Sequence, residues 1–170
     1  MMIGAASIAL TPFGRQHVDR TLEWTNDPEL ARLLNRARPV TPAEHRAWFD
    51  RLAERTDTRF FAVELQPDGR HVGNVWLADI SPLHRKAELR IVIGDRECGG
   101  RGIGTDAIAR LCDLAFAELG LQRIYAYVLE INSRAKRAFE KAGFAVEGVL
   151  RRDRSTADGF VDVYLLARLK

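Results

Sequence analysis

Apolar positions recur along the chain with two different periods, and the alternation between them predicts the elements. A short β-like run over residues 7–10 is followed, after Thr11-Pro12, by helical spacing through Val18, Leu22 and Trp24. Asn26-Asp27-Pro28 breaks that helix and opens a short one with Leu30, Leu33 and Leu34 on one face. Thr41, Pro42 and Glu44 mark the next start: an N-cap hydroxyl, a proline at the first helical position and a carboxylate that can reach back to the cap amide. Residues 59–65 and 71–80 read as strands joined through Pro67-Asp68-Gly69, where Gly69 can take a positive φ. Residues 87–94 form another strand. From Ile103 the helical period returns through Ala107, Ile108, Leu111, Leu114, Ala115 and Leu119, and closes at Gly120. A strand over 123–131, a short helix capped by Asn132 and ended by Gly143, and the strands "FAVEGVL" and "FVDVYLLARL" complete the pattern. No linker interrupts it, so a single mixed α/β domain over residues 1–170 is expected.

Composition narrows the function class. A chain of 170 residues, 46% hydrophobic and 29% charged, is long enough to bury roughly two thirds of its unfolded surface. The two cysteines, Cys98 and Cys112, are not in a Cys-x-x-Cys pair, so reduced thiols are expected, with neither a disulfide framework nor a metal site. The start "MMIGAASIAL" lacks the basic and long apolar stretches of a secretory signal, and no run approaches the roughly 18 apolar residues of a membrane span. A cytoplasmic protein with no membrane partner is expected. With 26 basic and 23 acidic residues the net charge of +3 is too balanced to point to nucleic acid.

The chemical signal is "GGRGIGTDA", residues 99–107, between a strand and a helix start. Helix starts carry unpaired N–H donors and the positive end of the dipole, and glycines let an anion reach them without meeting Cβ atoms. The amides of Gly100 to Thr105, with Arg101 adding charge, are candidate phosphate donors; a merely tight turn is the alternative. The Gly-x-Gly-x-x-Gly spacing of a dinucleotide fold and the Gly-Lys-Ser/Thr of a P-loop are both missing.

In this setting the chain resembles the GNAT family of N-acetyltransferases. The family's acetyl-CoA signature, Gln/Arg-x-x-Gly-x-Gly/Ala, reads here Gly99-Gly100-Arg101-Gly102-Ile103-Gly104. Downstream, "LGLQRIYAYVLEINSRAKRAFEKAGFAVEG" is similar to the family's next strand, its Asn-x-x-Ala helix and its Gly-Phe exit. "GFVDVYLLARL" is similar to the last strand of the branch holding ribosomal-protein alanine and spermidine acetyltransferases. The resemblance implies a bent mixed sheet of about seven strands, helices on both faces and a splayed central strand pair forming a cofactor cleft. It also implies acetyl-CoA as co-substrate, an amine acceptor and a homodimer.

Carried onto this sequence, the resemblance places the pantetheine arm on Ile91, Val92 and Ile93, and the pyrophosphate on the loop from Gly99 through Gly100, Arg101, Gly102, Ile103 and Gly104 to Thr105. Asn132 falls beside the cofactor or serves only as the helix N-cap. Glu88 is the leading base for the amine proton, since an amine of pKa near 10 must lose one before attack; a plain pairing with Arg90 on the same strand face is the alternative. Ser133 could donate to the departing thiolate, or be a surface serine. Two departures stand out. Phe139 occupies the cofactor-side position where many members carry a tyrosine that protonates the departing thiolate; either another donor serves, with Ser133, Tyr125, Tyr127 and Tyr164 as candidates, or the thiolate departs to water unaided. Gly99 replaces the usual Gln/Arg, with Arg96 and Arg101 available to compensate. The implied reaction is acetyl transfer to a primary amine, on a polyamine, an amino sugar or a protein N-terminus, by direct attack in a ternary complex. A catalytically weak acyl-CoA-binding regulatory module of the same fold is the alternative. A polyamine site would gather carboxylates, for which Glu23, Asp27, Glu29 and Glu44 are candidates. Trp48, Phe49, Leu52, Phe60 and Trp76 read as core, while Trp24 borders the expected acceptor side.

Overall fold

A computed structural model describes residues 7–170; the segment 1–6, on which part of the expectation about the N-terminal start rests, lies outside the described residues. Twelve main elements follow in the order β1 (Ile8–Pro12), α1 (Val18–Thr25), α2 (Pro28–Leu33), α3 (Pro42–Leu52), β2 (Arg59–Leu65), β3 (His71–Ser81), β4 (Lys86–Ile93), α4 (Ile103–Ala117), β5 (Arg123–Leu129), α5 (Ser133–Lys141), β6 (Ala145–Thr156) and β7 (Gly159–Leu169).

Local chemistry sets the boundaries. Thr41 Oγ1 accepts from the Glu44 amide while the Glu44 carboxylate accepts from the Thr41 amide, the expected capping box, and Pro42 follows at the first helical position. Asp27 caps α2 in the same way, through the amide of Leu30. Gly69, with φ at +69°, turns β2 into β3. Gly143, with φ at +92°, ends α5.

The strands form one seven-stranded sheet in the order β1-β2-β3-β4-β5-β7-β6, antiparallel except between β4 and β5. That parallel pair is bonded only at Lys86↔Arg123, Ala87↔Ile124 and Glu88↔Tyr125. Beyond Glu88 the two strands part, which is the expected splay. Register divides β2, β3 and β4 into two faces. Val75, Leu77, Leu89, Ile91 and Ile93 turn toward α4 and meet Ile103, Ala107, Ile108 and Leu111 in the core. On the opposite face Phe60, Asn74, Trp76, Arg90 and Val92 turn toward α1 and α3. Each fully buried Leu or Ile of the α4 face stabilises by roughly 1.5–3 kcal/mol relative to exposure.

Two boundaries differ from the pattern-based expectation. β6 runs on to Thr156, past Leu150, because the polar segment Arg151–Thr156 continues to pair with β7 after a register shift between Leu150 and Arg154. Exposed on nearly every residue, it carries no apolar alternation to read. β5 stops at Leu129, and Glu130 and Ile131 turn toward α5. No helix among the described residues is long and apolar enough to cross a membrane.

Candidate active site

The splay leaves the β5-side backbone edge of β4 without a partner strand from Leu89 to Ile93, beside a cleft of about 330 Å³. Three surfaces build this cleft. Ile91, Val92 and Ile93 form its floor, the glycine loop closes one end, and Leu30, Leu33 and Leu34 of α2 and its C-terminal end face them across the gap.

The loop is shaped by backbone conformation. Gly100 and Gly102 sit at φ of +75° and +77°, where a side chain is strained even though a Cβ would meet nothing within 4 Å. Gly102 caps α4, and the first helical bond is from the Asp106 amide to the Gly102 carbonyl. The amides of Ile103, Gly104 and Thr105 therefore precede the helical ladder and remain free for an anion. Gly104 differs: a Cβ there would make ordinary contact, 3.6 Å from Ile93 Cγ1, and only a longer side chain would occupy the cleft that this residue lines.

Opposite the loop, α5 presents Arg134, Arg137 and Lys141 to the same cleft, and no carboxylate lines it among the described residues. Asn132 is the N-cap and also borders the cleft. Its Oδ1 accepts from the Ala135 amide as the N-cap, and the residue lines the cleft, with Nδ2 donating over 3.5 Å to the Leu33 carbonyl. A cleft with a cationic, amide-lined end and an apolar stretch fits a long molecule with a phosphate-rich end and an uncharged arm, which is the chemistry of acetyl-CoA.

Of the residues expected at the cofactor, Ile91, Val92, Ile93, Gly99, Gly100, Gly102, Ile103, Gly104, Thr105 and Asn132 all line the cleft. Three others are placed elsewhere. Arg101 is exposed and outside the lining, because the left-handed glycines on either side turn its side chain away. Phe139 is buried in the core, packed edge-on against Phe144 with ring centroids 5.0 Å apart, since it falls on the inward face of α5. Ser133 is exposed in the first turn of α5 and lines no cavity. Sequence reasoning missed the basic face of α5, although the spacing 134, 137, 141 places those residues on one helical side. It also missed the cleft-facing role of the α2 leucines, read only as an amphipathic face.

Glu88, 7% exposed, sits at the last bonded pair before the splay, opposite Tyr125; neither residue lines either cavity, whereas Arg90 lines the second. Its carboxylate accepts from Arg90 Nε and Nη2, both at 2.8 Å, so the pairing with Arg90 is present. Each oxygen keeps a further lone pair. Burial and the Glu88 charge push the Tyr125 hydroxyl up, keeping it protonated.

On the other face of β4 lies a second cavity of about 510 Å³ that shares Val92 with the first. Trp24, Trp48, Phe60 and Trp76 wall it, with Phe60 and Trp76 stacked at 4.7 Å and 17°. The aromatic residues read as core thus surround a void. His45 reaches it as well, stacked on Trp48 and hydrogen-bonded through Nε2 to the Val18 carbonyl, and burial holds its imidazole below the usual value. None of Glu23, Asp27, Glu29 and Glu44 lines either cavity. Asp27, lowered by the Leu30 amide and by Arg96, is tied to Arg96 at 2.8 Å. Arg38 and the Thr41 cap pull Glu44 down to about 2.

Residues 7–145 match the acetyltransferase (GNAT) domain. Over 149 residues the chain is 31% identical to a spermidine N(1)-acetyltransferase of Escherichia coli, covering 88% of this chain and 78% of that protein. It is 29% identical over 150 residues to the human alpha/beta-tubulin-N-acetyltransferase 9, covering 81% and 72%. The fold superposes on the Vibrio cholerae spermidine N-acetyltransferase in complex with CoA and spermine with a TM-score of 0.88, at 26% identity and 95% coverage of both chains. A dodecameric form of that enzyme gives a TM-score of 0.80 at 26% identity, covering 95% and 93%.

Proposed function

This chain belongs to the GNAT acetyltransferase family, an N-acetyltransferase with acetyl-CoA as its acetyl donor, and we propose that it works by direct attack of a primary amine in a ternary complex. The observation that carries this reading is the pair of cavities on opposite faces of β4, meeting at Val92 where β4 and β5 part. One holds the donor and the other the acceptor. Holding two reactants in register makes their reaction effectively unimolecular, worth several kcal/mol of the barrier.

Acetyl-CoA supplies an acetyl thioester. The loop amides and the α5 cations hold its phosphates, and the open edge of β4 lies along its arm. The amine nitrogen bonds to the acetyl carbon, the carbon–sulfur bond breaks, and the amine proton leaves to Glu88 directly or through water. Arg90 orients the Glu88 carboxylate through its two hydrogen bonds, and the remaining lone pairs of those oxygens accept the proton. The thiolate is already a fair leaving group and takes its proton from water; Phe139 is buried in the core, and neither Ser133 nor Tyr125 lines a cavity. The cysteines give little support to an acetyl-enzyme route: Cys98 lines the donor cleft but is buried and its thiol is raised by that burial, and burial pushes Cys112 up to about 12. A homodimer would form through the β6–β7 edge, where Val146, Val149, Leu150 and Phe160 stay exposed.

The test is thiol release from acetyl-CoA over a panel of polyamines, amino sugars, amino acids and short peptides. Amine-dependent release with transfer of the acetyl group to nitrogen supports the reading. Binding of acetyl-CoA with no transfer to any amine contradicts it and favours a binding module.

A further inference from the structure

The charge lining the second cavity points to the class of acceptor. Three arginines, Arg36, Arg55 and Arg90, line it, against one acidic residue, Asp79, whose side chain is 58% exposed and 4.0 Å from Arg90. Two of the arginines have counter-charges of their own: Arg55 is bidentate with Asp57 at 2.9 Å, and Arg90 with Glu88 at 2.8 Å. Counting Asp57 and Glu88 with Asp79 gives three negative charges against three positive, so the cavity has no surplus negative charge for a polycation.

Arg36 is the exception. It sits between α2 and α3 with no ion-pair partner among the described residues, and its Nη1 is buried without any hydrogen-bond partner. A desolvated guanidinium nitrogen with nothing to donate to is costly; Nη1 is itself closed off from the cavity, so the Arg36 side chain must turn to meet a carboxylate there, and charge-assisted bonds to it then satisfy the nitrogen. Burial alone lowers the basicity of Arg36, in keeping with a cation that lacks its anion. The remaining walls are Trp24, Trp48, Phe60 and Trp76, and the volume of about 510 Å³ suits one compact molecule with an apolar body.

We propose that the acceptor is an aminocarboxylate with an apolar or aromatic body, its carboxylate bound by Arg36 and its amine directed toward β4, and that polyamines are poor substrates. This rests on the acetyl-transfer reading above and deepens it. It also separates this chain from the spermidine acetyltransferases it resembles, whose named acceptor carries only positive charge.

The experiment pairs each aminocarboxylate with its uncharged amide: phenylalanine with phenylalaninamide, leucine with leucinamide, methionine with methioninamide. Spermidine and spermine are included. Thiol release is measured alongside acetyl-CoA binding by calorimetry and amino-acid binding by tryptophan fluorescence. At least a tenfold higher kcat/KM for a carboxylate than for its amide and for spermidine is expected. Arg36→Ala should raise KM for that acid by tenfold or more, leave acetyl-CoA affinity unchanged, and be partly rescued in Arg36→Lys. Amides or polyamines turned over as well as the acids, or no binding by any acid while acetyl-CoA binds, overturns the proposal. Failure to bind acetyl-CoA overturns the reading beneath it instead. The carboxylate–amide comparison uses the unaltered protein, so it decides the matter even where an Arg36 variant fails to fold.

Discussion

At residue scale, two neighbouring glycines have different reasons to be glycine. Gly104→Leu leaves the helix intact but puts a side chain beside Ile93 in the donor cleft. Calorimetry should show acetyl-CoA affinity down at least tenfold with a melting temperature close to the parent. Gly102→Val also forces a β-branched residue to φ near +77°, which costs about 1–2 kcal/mol and should lower stability as well. Glu88→Gln should lower turnover by about tenfold or more and change its pH profile, as expected for loss of a general base; full activity with an unchanged profile would leave Glu88 as the partner of Arg90 alone. Burial holds the His45 and His71 imidazoles below their ordinary value. The unfolded chain therefore binds more protons below about pH 6.5, and stability rises with pH through that region and falls on acidification. The loss of melting temperature between pH 7 and pH 5 should shrink in His45→Gln/His71→Gln. Single residues were legible where local chemistry decides them: the Thr41 cap, Asn132 and the loop glycines. Arg36 was not, because an unpaired buried guanidinium is a property of three-dimensional surroundings.

At the scale of elements, α5 shows how a helix can carry two functions on two faces. Phe139 and Ala142 face the core, while Arg134, Arg137 and Lys141 face the cleft. Arg134→Ala/Arg137→Ala should weaken acetyl-CoA binding by roughly thirtyfold, at about 1 kcal/mol for each lost phosphate contact, and flatten its salt dependence. An unchanged affinity and salt slope would remove α5 from the cofactor site. The helix itself was readable from its cap and its Gly143 stop. Its basic face went unread, because nothing local in the sequence shows that Arg134, Arg137 and Lys141 turn toward the loop. The splay of β4 from β5 was visible only through family resemblance, since Leu89–Ile93 reads as a continuous buried strand whether or not a partner lies alongside. β6 was half readable, its apolar start plain and its charged continuation silent.

For the whole molecule, the sheet serves two purposes on its two faces. Toward α4 it is solid core, and Leu111→Ala there should cost about 2–5 kcal/mol, a drop in melting temperature of several degrees at about 2–4 °C per kcal/mol for a chain of this size. Toward α1 and α3 the same strands leave a chamber, which is why Trp48, Phe60 and Trp76, which looked like core, border open volume, with Trp24 on the acceptor side as expected. Apolar periodicity identifies a buried face, but it cannot distinguish one filled by side chains from one left open for a ligand.

The central claim is that β4 holds donor and acceptor together in one complex. Initial rates of thiol release, measured over a grid of acetyl-CoA and the best amine of the panel, test it most directly. The account predicts double-reciprocal lines that intersect, with no acetyl group on the protein by mass spectrometry after acetyl-CoA alone. Parallel lines, accompanied by a chain heavier by one acetyl group, would contradict it.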